Sequence, residues 1–182
     1  MAGARKATMR LAFCGVMTAL GTVLMLMGGV IPIATYCVPM LAGLVLLAVL
    51  LEYGLRWGWM VWGCTALLTL LMGADKEAAF FYLFFGCYPM LKPYMEKLPK
   101  GLRLPAKALL FILITAVMYL LLCFVFPLEA VLAEFREGSL IFNIVLTAVI
   151  PLCMLLYDRL LTPMALLYVQ RVHPRLKLLK RG

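Results

Sequence analysis

Long apolar runs, separated by short proline-bearing or charged breaks, constrain this chain more than any other feature. They lie at Leu11 to Val30, Tyr36 to Leu51, Trp57 to Gly73, Ala78 to Leu91, Ala108 to Phe126 and Leu140 to Tyr157. Runs of this kind cross a hydrocarbon core about 30 Å thick as helices. The composition agrees: 66% of the 182 residues are hydrophobic, 14% are charged and the mean hydropathy is +1.06. A soluble globule is roughly half apolar, so that class is excluded, and so is a disordered chain. The expectation is an all-α integral membrane protein: a single domain over residues 1–182 built as a six-transmembrane-helix bundle with a short fourth helix.

The charges orient the bundle. The formal charge is +9, from 17 Lys and Arg against 8 acids. In a membrane protein such an excess marks cytoplasmic loops rather than a nucleic-acid surface. With six crossings and both the N-terminus and the C-terminus cytoplasmic, every basic residue except Lys76 and Arg136 falls on the inner side. The fourth run, about 14 residues, also has the length of a re-entrant segment. If it did not cross, the basic stretch Lys92 to Lys107 would share the outer side with Asp75 and Glu77, against the positive-inside rule. The basic start reads as leading into a retained first helix, because Gly28-Gly29-Val30-Ile31-Pro32 runs straight into more apolar sequence. The segment 160–179 mixes Leu, Met and Tyr with Arg and Lys, as an interfacial basic tail does.

Rare residue types bound the chemistry. Ser139, Asn143, Gln170 and His173 are each the one residue of their kind. A nucleophilic site would have to use His173, which sits in the basic tail away from every apolar run, so no enzyme and no catalytic residues are expected. The six cysteines fall one to an apolar stretch, without the close pairs of a zinc site, and read as small buried hydrophobes; no metal or cofactor is expected.

Ionisable and amide groups near hydrocarbon are costly, so each is a candidate site. Asp75-Lys76-Glu77 lies between the third and fourth runs on the outer side, where a solvated turn and a ligand role both fit. Asn143 lies at a similar depth in the sixth run, as helix-helix glue or as a ligand group. Thr35 and Tyr36 belong to an outer loop bracketed by Pro32 and Pro39, a stiff turn or a cover over a ligand. Tyr82, Tyr88 and Tyr119 are ambiguous. On the inner side, Glu52 with Arg56 and Asp158 with Arg159 read as ordinary ion pairs, and Trp57, Trp59 and Trp62 as an aromatic interface belt. Gly15 and Ala19 form a small-xxx-small pair that lets another helix approach, and Thr18 and Thr22 repeat it one face over.

Together, "LAFCGVMTALGTVLMLMGGVIPIA", "PMLAGLVLLAVLLEYG" and above all "DKEAAFFYLFFGCYPMLK" resemble the substrate-binding S component of energy-coupling-factor (ECF) transporters, as found in Gram-positive bacteria. The resemblance implies a multi-pass protein of the bacterial cell membrane that captures a vitamin-like small-molecule substrate on the outer side. It implies as partners, besides the lipid bilayer, a T component and two ATPases, with no nucleic acid. The family's Ala-xxx-Ala docking pattern would fall at Gly15 and Ala19, where the first member is Gly. The implied site places Thr35 and Tyr36 over Asp75, Lys76, Glu77, Tyr82, Tyr119 and Asn143, with Phe80 and Tyr82 packing the apolar body of the substrate. The chain has no G-x-x-x-x-G-K-[ST] loop, so a powered function draws its energy from partners. The alternative reading is a non-transport membrane scaffold or assembly protein, or a passive carrier.

Overall fold

The computed structural model describes residues 2–28, 34–72, 76–124 and 140–174. Among these residues the backbone is helical nearly throughout and contains no strand. In chain order the helices are α1 (Ala2–Gly28), α2 (Ala34–Tyr53), α3 (Leu55–Met72), α4 (Lys76–Phe85), α5 (Tyr88–Glu96), α6 (Lys100–Phe124) and α7 (Leu140–Leu167). A π-helical turn, Tyr168–Val172, continues α7. Among the described residues, four stretches are long and apolar enough to cross a membrane: Ala7–Gly28, Leu55–Met72, Gly101–Met118 and Pro151–Val172. A shorter apolar helix covers Cys37–Tyr53. Large side chains such as Leu71 and Leu104, each 74% exposed, lie on the outside of these helices, a build consistent with a membrane protein.

Two compact units make up the chain, Met1–Lys92 with Leu160–Gly182, and Pro93–Arg159. In the first, α1 to α4 pack through two clusters. One gathers Met25 of α1, Val38 and Ala42 of α2, Ala66 of α3, and Ala78 and Tyr82 of α4. The other gathers Cys14, Leu46, Val49, Val61 and Met90 of α5. The first cluster thus joins the end of α1 to the starts of α2 and α4, so successive helices run antiparallel. Small residues permit the close approaches: a side chain on Gly28 would strike Val38 at 2.7 Å, and one on Gly21 would press on Thr65 at 3.3 Å.

In the second unit, Phe111, Ile114, Thr115 and Met118 form a buried stripe on α6 at helical spacing. On α7, Met154, Tyr157 and Asp158 are buried at matching spacing. The ammonium of Lys107 on α6 meets the carboxylate of Asp158 on α7 at 2.5 Å.

The breaks between helices differ from the sequence expectation in instructive places. A single residue joins α2 to α3: Gly54, at φ +83°, donates its N–H to the Leu50 carbonyl at 3.0 Å. This is the left-handed cap that glycine supplies without a Cβ penalty. The run Ala78 to Leu91, expected as one short crossing, is two helices with a turn at Gly86 and Cys87. Gly86 donates to the Tyr82 carbonyl at 2.8 Å, and any Cβ there would lie 2.6 Å from that oxygen. Pro89 then suits the first turn of α5, where its missing N–H has no intrahelical use. α6 begins at Lys100, well before the apolar run, and Arg103 Nε donates to the Leu98 carbonyl at 2.7 Å. α7 runs through Tyr157 to Leu167, so much of the segment expected as a separate interfacial tail is its direct continuation.

Candidate functional site

Polar side chains inside apolar helices must find partners, because lipid offers none. Around the first cluster they do so mostly within their own helices. Thr18 and Thr22 donate to the Cys14 and Thr18 carbonyls at 2.9 Å, and Thr69 donates to the Thr65 carbonyl at 2.9 Å. The Tyr82 hydroxyl, on a side chain only 1% exposed, is hydrogen-bonded to the Thr65 side chain. Phe80 is buried and stacks edge-on with Phe84, ring centres 5.4 Å apart. In this structure Phe80 and Tyr82 are therefore packing residues, and Lys76 is the exposed residue that opens α4.

Of the other expected site residues, Thr35 and Tyr36 occupy the first turn of α2 and Glu77 the first turn of α4. Because Val38 and Ala78 share a cluster, these two helix starts lie at the same end of the first unit. Tyr119 lies on α6 and Asn143 on α7, both in the second unit. Asp75 lies outside the described residues, and for Thr35, Tyr36, Glu77, Tyr119 and Asn143 the description stops at the backbone. Gly15 and Ala19 are exposed on α1, and a Cβ added at Gly15 would meet nothing within 4 Å. The bundle instead takes up Cys14, Gly21, Thr22 and Met25 of α1, all buried.

The second cluster is bounded by charge. Arg10 lies over the Trp57 ring, 5.2 Å from its centre, and Trp57 packs on the cluster. Trp59 and Trp62 form an edge-on pair at 5.4 Å, with Trp62 packed against both clusters. Lys92 is buried, its ammonium donating to the Thr162 hydroxyl at 2.8 Å. The expected pairing of Glu52 with Arg56 does not form. Gly54 ends the helix between them, so the two do not share a helical face, and Arg56 is exposed. Instead, the Glu52 carboxylate meets His173 Nδ1 at 2.6 Å, across 121 positions of sequence. Asp158 likewise turns to Lys107 rather than to Arg159, because adjacent helical residues do not face each other.

His173 is thus brought onto α2, whereas its place in a basic tail pointed away from the apolar helices. No short-range signal announces this pairing. Among the cysteines, Cys14 is buried as expected, whereas Cys37 and Cys64 are exposed on their helices. No group of three or more metal-ligating side chains occurs among the described residues. No protein-family model, no curated protein and no solved structure matches this chain.

Proposed function

We propose that the chain is the substrate-binding subunit of an ECF-type importer, crossing the bacterial cell membrane six times with both termini cytoplasmic. It captures a vitamin-like small molecule on the outer side and passes it on with the help of a T component and two ATPases. The observation that carries this reading is the free face of α1. Gly15 and Ala19 are exposed, with open space over Gly15, on a helix that packs in the bundle through Cys14, Gly21 and Met25. Such a surface accepts a second helix at close range. The charge distribution supports the topology. At the opposite end of α1, the starts of α2 and α4 bring Thr35, Tyr36, Lys76 and Glu77 to one end of the first unit, where Lys76 is exposed.

The test is recovery of partners from gently solubilised native membranes with the tag at either end of the chain. A polytopic protein and two ATPases should co-purify with the native chain, and Gly15→Leu should reduce their recovery at least tenfold while the helical content stays unchanged. Clean pull-downs without an ATPase would remove the energy-coupled mechanism. A scaffold or passive carrier is the competing reading, favoured by the packing of Phe80 and Tyr82 in the core, where they are not open to a ligand. The scaffold form of that reading expects no small molecule to be retained in native mass spectrometry and no change on neutralising Lys76.

A further inference from the structure

α1 and α3 open at the same level of the first unit. Arg10 of α1 lies over the Trp57 ring of α3, and further along a Cβ on Gly21 would meet Thr65 at 3.3 Å, so the two helices are neighbours that run in one direction. Their apolar stretches begin at Ala7 and Leu55. Arg10 thus stands about 5 Å inside the first stretch, and Arg56 is the second residue of the other. In a bilayer this is the level at which headgroups meet hydrocarbon.

Cations at that depth need an anion, and the helices that carry them offer none. Neither α1 nor α3 contains an acidic residue. Glu52, at the end of α2, is 2% exposed and turned to His173, and the Gly54 turn separates it from Arg56, which is exposed. The Trp57 face attracts the Arg10 charge but has no lone pair for the five N–H donors of the guanidinium. Beside the two arginines the surface is apolar: Leu11 is 65% exposed, Trp59 38% and Met60 59%.

We propose that Arg10, Arg56 and Trp57 bind the headgroup of an anionic phospholipid, whose acyl chains lie along Leu11, Trp59 and Met60. A guanidinium meets two phosphate oxygens with parallel N–H bonds, a fit that an ammonium lacks. Trp57 holds Arg10 before the lipid arrives, so binding costs little side-chain freedom. A soluble phosphate would have to leave water to reach the same donors, and an acidic protein segment would have to clear lipid from Leu11 and Met60. The phosphate of a bilayer lipid is at this level already. Basic pockets between membrane helices recognise lipid headgroups by the same means. The inference holds for either orientation of the chain and is independent of the transport reading.

Native mass spectrometry tests it on the full chain, released from nanodiscs of equal parts phosphatidylglycerol and phosphatidylcholine with identical acyl chains. The chain should retain phosphatidylglycerol over phosphatidylcholine by about tenfold. Arg10→Gln and Arg56→Gln should each cut that preference about fivefold with unchanged helical content, whereas Arg159→Gln, an exposed arginine of the second unit, should leave it intact. Arg10→Lys, which keeps the charge without the planar fork, should fall between the native chain and Arg10→Gln. Equal retention of the two lipids by the unsubstituted chain, a reading that needs no variant to fold, would overturn the site. So would an equal loss in Arg159→Gln, which would mean diffuse attraction to the whole basic surface. Inorganic phosphate at about 10 mM should leave the bound lipid in place, and its displacement would give the donors to a soluble anion instead.

Discussion

The two ends of the α1–α4 bundle bury polar atoms by opposite means. Around Met25, Val38, Ala66 and Tyr82 the polar groups are hydroxyls, most of them turned back onto carbonyls of their own helix. Around Leu46, Val49, Val61 and Met90 the neighbouring groups are ionisable and join different elements: Glu52 with His173, Lys92 with Thr162, Arg10 with Trp57. A self-satisfied hydroxyl adds little to tertiary structure and responds to neither pH nor salt. A long-range charged contact fixes where a distant segment lies, at the cost of sensitivity to its protonation state. The first end is thus held by shape and the second by charge.

Substitutions break the comparison in a definite order. Tyr82→Ala should cost the most, about 3 kcal/mol or more, because it empties the centre of the first cluster and leaves Thr65 without its side-chain partner. Reversible unfolding in mixed micelles measures it, and the loss should be the same at pH 5.5 and pH 8.5. Gly54→Ala comes next, at about 1–2 kcal/mol, since alanine is strained at the positive φ of the α2–α3 link. The same titration should show that cost together with a looser Glu52–His173 contact. Thr69→Val should change stability by less than about 0.5 kcal/mol, because the carbonyls it releases keep their backbone bonds. A loss above about 1.5 kcal/mol in that variant would mean that the hydroxyls do hold the first end together.

Apolar run length made the helices legible in the sequence, because a hydrocarbon-crossing segment has almost one solution for its backbone. Which side of a helix packs was less legible, since lipid-facing and core-facing positions are equally apolar. Gly15 and Gly21 look alike as small residues in α1, yet a Cβ at Gly21 would press on Thr65 while one at Gly15 would meet open space. The turn at Gly86 was missed because hydropathy does not register a glycine whose hydrogen would be replaced by a clash with Tyr82. The Glu52–His173 contact was beyond reach for another reason: nearest-neighbour spacing favours Arg56, and only the turn at Gly54 shows that Arg56 lies on another helix. Of the residues singled out in the sequence, Thr35, Tyr36, Lys76 and Glu77 lie at the starts of α2 and α4, at one end of the first unit. Sequence could not tell that Phe80 and Tyr82 are needed for packing there.

The one-residue link at Gly54 also bears on how the chain enters a bilayer. Helices of 20 and 18 residues joined by a single glycine have no slack for one to insert while the other waits. If both cross, as proposed above, they enter as a hairpin, tip and all, and α2 with α3 is then the smallest piece of this protein that can pass sideways into lipid.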